Sequence, residues 1–314
     1  MKTKIVYVLV SSENGYFYEQ TVVSVTSLRL HNPDANIVLV VDDKTDQTLV
    51  GKRSALDSLV TDKVIVPMPD NVPNKERSRR LKTNLRELIE GDYLYIDSDT
   101  IICESLAEID SFEFPIGMVW DGNNKFDKIK NYVVVERASK LGYDVSSEEE
   151  YFNGGVMFVK ECQESHTFCR MWHDMYLRLG IVYDQPALMV TNMLQNHLIT
   201  TIDNGYNCQL FMGGFSSFAY AKILHVFNAF GFVNFFKYSS RDFLRIIKST
   251  GEFPKEEIEN LRNPKKQFVG EYVLLHDSEM AYYHSAIFHV FKRSHRAYKF
   301  LEYIAKFLMK FHLV

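Results

Sequence analysis

Short apolar runs rich in β-branched residues recur along this chain, and each breaks off at polar or acidic residues. Residues 4–10 (KIVYVLV) deliver Ser11, Ser12, Glu13 and Asn14 into a polar loop, and residues 36–41 (NIVLVV) end at Asp42 and Asp43. Residues 63–66 (KVIV) are closed by Pro67 and Pro69, and Tyr93-Leu-Tyr-Ile runs into Asp97. Uncharged runs this short read as strands buried on both faces of a parallel sheet, because a membrane span needs about 18 apolar residues. Between the first two runs, residues 18–29 carry apolar residues at roughly helical spacing, stopped by His31-Asn32-Pro33-Asp34. Strand, helix, strand is the opening of a right-handed βαβ unit. The same reading predicts helices over 49–59, 78–90 and 162–179 and from Asp184-Gln185-Pro186, and strands over 116–120, 151–159, 221–227 and 272–277.

The stretch 93–102 (YLYIDSDTII) is read as a strand that carries two aspartates at its carboxyl end, where open α/β sheets place ligands. In a strand, residues two apart point to one side, so Asp97 and Asp99 are expected to converge. Adjacent carboxylates repel, and a divalent cation makes both ionised forms tolerable. A polar turn after a strand is the plainer meaning of the same letters.

Other features are equally two-sided. The basic segment 75–86 is either a solvated helix face or a pyrophosphate contact. The glycines of Phe152-Asn153-Gly154-Gly155 either admit a ligand close to the backbone or make a tight turn. His225, near the end of an apolar strand, is structural or a ligand. At the C-terminus Phe300, Ile304, Phe307, Leu308 and Phe311 share one helical face, flanked by Lys292, Lys299, Lys306 and Lys310. Such a helix lies in a membrane interface or docks on the core with its lysines in water.

Composition narrows the class. With 46% hydrophobic residues in 314, a large core is available, and 18 Tyr and 23 Phe against 8 Pro argue against long disordered tracts. A net charge of −4 argues against a nucleic-acid partner. Cys103, Cys162, Cys169 and Cys208 form no CxxC pair or zinc-ligand spacing, and no Asn-x-Ser/Thr site occurs. The N-terminal residues lack the features of a signal peptide, and the expected location is the cytoplasm.

The motifs in order, a strand and polar loop, a basic helix, Tyr-Ile-Asp97-Ser-Asp99-Thr, Phe-Asn153-Gly154-Gly-Val-Met-Phe-Val, Asp184-Gln185-Pro and Ile-Leu-His225-Val-Phe, resemble those of glycosyltransferase family 8 over residues 3 to about 230. This group of retaining enzymes includes glycogenin and the bacterial lipopolysaccharide galactosyltransferases. The resemblance implies a GT-A fold, a Rossmann-like, mostly parallel sheet flanked by helices, over residues 1–236, with a C-terminal helical extension over 237–314. It implies a UDP-sugar donor, Mn²⁺ or Mg²⁺ held by Asp97, Asp99 and His225, and a saccharide or glycolipid acceptor in lipopolysaccharide or other cell-surface polysaccharide synthesis. By the same resemblance Val10, Ser11 and Asp42 meet the uridine, and Arg80 and Lys82 the phosphates. Ser98, Asn153 and Gly154 line the donor, Asp121 touches a sugar hydroxyl, and Asp184 and Gln185 sit beside the anomeric carbon. The Lys-Pro-Trp that follows the family's histidine is absent, which leaves His276 as a second candidate for the third metal ligand.

Three other functions fit parts of the pattern. A haloacid dehalogenase-type phosphatase would use Asp97 as nucleophile and Asp99 as general acid. A non-catalytic nucleotide-sugar-binding protein would explain the missing Lys-Pro-Trp. A nucleotidyltransferase would need a basic, glycine-rich loop after the first strand, and Ser-Ser-Glu-Asn-Gly lacks the basic residues.

Overall fold

The computed structural model of the protein describes residues 1–12, 14–126, 132–180, 183–210, 214–226, 236–267, 272–274, 280–282, 290 and 294–310. The chain begins β1 (Lys4–Leu9), α1 (Phe17–His31), β2 (Ile37–Asp42), α2 (Asp43–Thr48) and β3 (Asp62–Val66). It continues through α3 (Asn74–Thr83), α4 (Leu85–Leu88), β4 (Tyr93–Ile96), β5 (Thr100–Ile102) and β6 (Ile116–Trp120). Next come α5 (Tyr132–Ser139), β7 (Phe152–Val159), α6 (Gln163–Leu179), α7 (Gln185–Leu194) and β8 (Ile199–Thr201). The strands β9 (Cys208–Gln209) and β10 (Ile223–His225) and the helix α8 (Arg241–Thr250) follow.

Seven strands form the central sheet in the order β3-β2-β1-β4-β7-β6-β8. Only β7 runs against the others, pairing antiparallel with both β4 and β6. The apolar runs are uninterrupted because both faces of this sheet are covered. Along β1, Ile5, Tyr7 and Leu9 enter one core, while Val6 and Val8, with Val10 just beyond, enter the core on the opposite face.

The aspartate stretch departs from the sequence reading. It is not one strand: β4 ends at Ile96, and β5 belongs to a separate three-stranded sheet in the order β5-β10-β9. Asp97, Ser98 and Asp99 form the turn between the two sheets, so strand alternation does not bring the carboxylates together. The predicted helix over 49–59 also shifts. Asp42 caps a helix that starts at once, accepting from Thr45 N at 2.7 Å, and residues 51–58 wind as a 3-10 helix that begins at Gly51 with φ 59°. The helix read over 78–90 begins earlier and is broken at Asn84 into α3 and α4. The polar stretch 122–150 holds α5.

Helix α1 supports the aspartate turn through a stripe of hydroxyls three residues apart. Thr21 Oγ1 donates to Ser98 Oγ at 2.8 Å, Ser24 Oγ lies 2.8 Å from Thr100 Oγ1, and Ser27 Oγ accepts from Ile102 N at 2.9 Å. Thr100 Oγ1 in turn donates to the carbonyl of Asp97 at 2.8 Å.

Beyond residue 235 the chain returns to the same core: Phe236, Tyr238, Phe243, Leu244, Ile247, Phe253 and Leu261 pack with the face of the sheet that holds Ile5 and Tyr7. Residues Tyr272–Leu274 and Met280–Tyr282 pair as an antiparallel ladder. The last described element is the helix His295–Lys310, whose Phe300 (65%) and Tyr303 (72%) are exposed. Among the described residues, no helix is long and apolar enough to cross a membrane.

Candidate active site

The site lies where β4 gives way to the aspartate turn. Asp97 N donates to Gly155 O at 2.7 Å, which carries the β4–β7 pairing one residue past the strand. In the second sheet Thr100 pairs with His225, and Val226 N donates to Asp99 O at 2.9 Å. This antiparallel register brings a histidine 126 residues away in sequence beside the aspartates. His225 Nε2 is 3.3 Å from Asp99 Oδ1 and 4.0 Å from Asp97 Oδ2. The ring fits because residue 155 is glycine: a Cβ there would overlap it. His276 lies outside the described residues.

One ligand atom from each of Asp97, Asp99 and His225 falls within 4.8 Å of the others, the one such cluster among the described residues. Two carboxylates and an imidazole are a donor set that fits a divalent cation. Burial raises the pKa of Asp99, but His225, a backbone N–H and Arg79 outweigh it, and the carboxyl is held below its ordinary value. Burial and the charge of Asp97 push Tyr95 far up, so its hydroxyl keeps its proton and donates it to Asp97 Oδ1.

A second, cationic group faces this one. Helix α3 contributes Arg79 and Lys82, three residues apart and hence on one side. Arg79 Nε is 3.0 Å from Asp184 Oδ1, and Lys82 Nζ is 3.5 Å from Asp184 Oδ2 and 3.7 Å from Asp97 Oδ1. A Cβ on Gly154 would sit 3.0 Å from Lys82 Nζ, so the glycine leaves room for the ammonium. Asp184 precedes α7 at the N-cap position, yet its side chain makes no capping bond. It is turned instead to the two cations. Arg80, which the motif match singles out, is turned away: Nε and Nη2 lie 2.9 and 2.5 Å from Glu76 Oε1. The arginine that reaches the site is Arg79.

Side-chain amides link the two groups. Asn153 Nδ2 donates to Asp121 Oδ1 at 2.8 Å, and Gln185 Nε2 reaches Asp121 Oδ1 and the carbonyl of Phe152, each at 3.1 Å. Burial raises Asp121 above its ordinary pKa, partly offset by these two donors. With both protons of its amide engaged, Gln185 has only its carbonyl oxygen to offer a ligand. Gln209 clamps the loop after β6, accepting from Gly122 N and donating to Trp120 O, both at 2.8 Å. Asn207 and Gln209 have no periodic or motif signal in the sequence.

The residues expected to meet a uridine divide. Val10 and Ser11 stand at the end of β1, with Ser11 Oγ accepting from Arg53 Nη2 at 2.7 Å. Asp42 is fully buried, caps α2 and pairs with Arg77, so its carboxylate is closed off from a ribose. Ser98 holds its place in the turn through Thr21.

No protein-family model matches the chain, and neither does any curated protein sequence. Solved structures do. The galactosyltransferase LgtC, in complex with donor and acceptor sugar analogues, superposes with a TM-score of 0.52 at 16% identity, covering 81% of this chain and 99% of its own. An LgtC variant in which an active-site glutamine is replaced by glutamate matches to the same extent, with a TM-score of 0.52 at 16% identity, covering 81% of this chain and 99% of its own. Mouse xyloside xylosyltransferase 1 gives a TM-score of 0.47 at 16% identity over 72% of this chain and 98% of its own. The LgtC likeness shows the fold: a GT-A arrangement around a mostly parallel sheet. The resemblance read from the motifs thus has a structural counterpart in a glycosyltransferase.

Proposed function

We propose that the protein is a metal-dependent, retaining glycosyltransferase that moves a hexose from a UDP-sugar to a saccharide or glycolipid acceptor in the synthesis of lipopolysaccharide or another cell-surface polysaccharide. The observation that carries this reading is the pairing of two clusters of opposite demand. Asp97, Asp99 and His225 offer ligands to a cation, while Arg79 and Lys82 are cations gathered beside them. A metal diphosphate has both halves of that pattern.

A Mn²⁺ or Mg²⁺ ion held by Asp97, Asp99 and His225 would supply Lewis-acid stabilisation of the departing diphosphate. Lys82 and Arg79, already fixed by Asp184, add cationic stabilisation from the protein itself, so no strong general acid is needed. Asp121 and Asn153 present a fixed carboxylate and amide to sugar hydroxyls. Gln185 and Asp184 would stabilise positive charge at the anomeric carbon; the side-chain oxygen of Gln185 is a weak base and suits that task. The glutamine altered in the LgtC active-site variant is in line with this role. A two-carboxylate glycosidase mechanism does not transfer to this site.

The test is nucleotide binding and turnover. UDP binding should weaken strongly in EDTA, and slow UDP release from a UDP-sugar with Mn²⁺ should be abolished by Asp99→Ala. Binding of equal affinity without metal would overturn the metal assignment, and a trapped phospho-aspartate at Asp97 would favour the phosphatase.

In this reading residues 1–236 carry the transfer chemistry, and 237–314 add the contact with a lipid-linked acceptor at the cytoplasmic face of the membrane. The exposure of Phe300, Tyr303 and Phe307 on a helix that also bears Lys299 supports it. Removing residues 292–314 should leave the melting temperature within about 2 °C of the full chain and reduce binding to anionic vesicles. Unfolding on truncation would point to a helix docked on the core.

A further inference from the structure

Asn207 is fully buried at the point where the 3-10 turn Asn204–Asn207 passes into β9. Its Oδ1 lies 2.9 Å from His225 Nδ1, and its Nδ2 lies 3.0 Å from Asn153 Oδ1. The direction of these bonds follows from fixed groups at the far end of the chain. The backbone N–H of Gly155 points at Asn153 from 2.9 Å, so the atom it meets is the amide oxygen. The amide nitrogen of Asn153 is then the atom facing the carboxylate of Asp121. The Asn207 atom that meets Asn153 Oδ1 has to donate and is therefore nitrogen. That leaves the Asn207 oxygen toward His225, whose Nδ1 must carry the proton. In the neutral ring Nε2, the nitrogen directed at Asp99 and Asp97, is then the one with the lone pair, whereas in the doubly protonated ring it donates to Asp99.

We propose that Asn207 is a positioning residue that fixes His225 as the Nδ1–H tautomer, holding Nε2 ready as the third ligand of the cation site. The same side chain ties that ring to Asn153 and Asp121, so the cation site and the donor-sugar pocket share one hydrogen-bond chain. The inference rests on the function proposed above for the identity of the cation. The turn itself is anchored separately, because the Asn207 backbone carbonyl accepts from Asn123 Nδ2 at 2.8 Å and keeps that bond whatever the side chain.

The experiment compares the unsubstituted protein with Asn207→Leu and Asn207→Asp. Two quantities are read: Mn²⁺ affinity from the free-ion paramagnetic resonance signal, and the tautomer of the neutral His225 ring from its ¹⁵N shifts in metal-free protein at alkaline pH. In Asn207→Leu the ring should switch to Nε2–H, donating to Asp99, and Mn²⁺ affinity should fall by about ten- to a hundredfold, the usual loss when a ligand's supporting partner is removed. Asn207→Asp still accepts from Nδ1–H and loses the bond to Asn153 Oδ1, so the tautomer should be retained. An unchanged tautomer with unchanged affinity in Asn207→Leu overturns the proposal. So does an Nε2–H ring in Asn207→Asp, which keeps the test open should the leucine variant not fold. No Mn²⁺ binding by the unsubstituted protein would sink the functional reading instead, while the tautomer comparison would still decide the role of Asn207.

Discussion

Helix α3 puts the same residue types to opposite uses on its two sides. On one side Arg77, 5% exposed, pairs with the fully buried Asp42, and its other nitrogen donates to Asn74 Oδ1 at 2.6 Å. Asp42 spends its remaining capacity on the cap of α2. One cation meets one anion there, and the pair is closed. On the other side Arg79 and Lys82 share Asp184, and beyond them Asp97 and Asp99 crowd His225. Two cations there face three carboxylates and an imidazole, so no single pair closes the group, and the proposed function fills it with a cation and a diphosphate. A buried ion pair is therefore no mark of a site. What marks one is a buried cluster whose charges the protein leaves unmatched.

The comparison breaks most sharply under deletion of one cation on each side. Arg77→Met leaves Asp42 buried without its partner and should cost about 3–5 kcal/mol of stability, seen as a large fall in the denaturant midpoint. Lys82→Met leaves Asp184 paired with Arg79. It should therefore cost little stability but lower kcat by about 10²- to 10³-fold, the usual loss on removing one charge-stabilising group. Equal losses of stability in the two variants would show that both sides are structural.

A smaller effect separates neighbours on the same helix. Residues turn by about 100° per position, so Arg79 and Lys82 lie within a sixth of a turn while Arg80 is carried round toward Glu76. Arg79→Ala should raise KM for the donor and lower kcat, together about tenfold or more in kcat/KM. Arg80→Ala removes a half-exposed i, i+4 pair and should leave kcat/KM within about twofold. The reverse ranking would return the phosphate contact to Arg80.

That ranking also shows what could be read in the chain. Matching a three-letter motif selects Arg80, whereas helical spacing from Lys82 selects Arg79; the periodic signal was present and the motif obscured it. The central strands were legible because burial on both faces leaves an unbroken apolar run. The end of β4 was not, since Thr100-Ile101-Ile102 continues in the same apolar style and only its pairing with β10 reveals a second sheet. The two aspartates were found for a reason the structure replaces: a turn brings them together, not a strand. Asn207 and Gln209 were invisible because a buried amide is defined by its partners, which come from elements as distant as Trp120 and His225. An aspartate after a strand reads alike whether it caps a helix or binds a ribose, and Asp42 caps α2.

The smallest predicted effect concerns a buried carboxylate that belongs to neither side of α3. Glu19, on the first turn of α1, is 4% exposed, and its Oε2 has no hydrogen-bond partner. Burial raises its pKa, and its own backbone N–H and the charges of Lys248 and Arg53 only partly offset this. A carboxyl whose folded value is raised above the unfolded value favours the folded state when protonated. Its cost is therefore absent well below pH 4.5, grows as pH rises through that range, and is constant above the raised folded value. Glu19→Gln removes the charge and keeps the shape. It should raise the melting temperature at pH 8 by about 2 °C, corresponding to about 1 kcal/mol in a chain of this size, and the gain should vanish near pH 4. A variant that melts lower at pH 8 but not near pH 4 would mean that Lys248 and Arg53 hold Glu19 as a charged partner. It would then belong with Asp42 among the closed pairs.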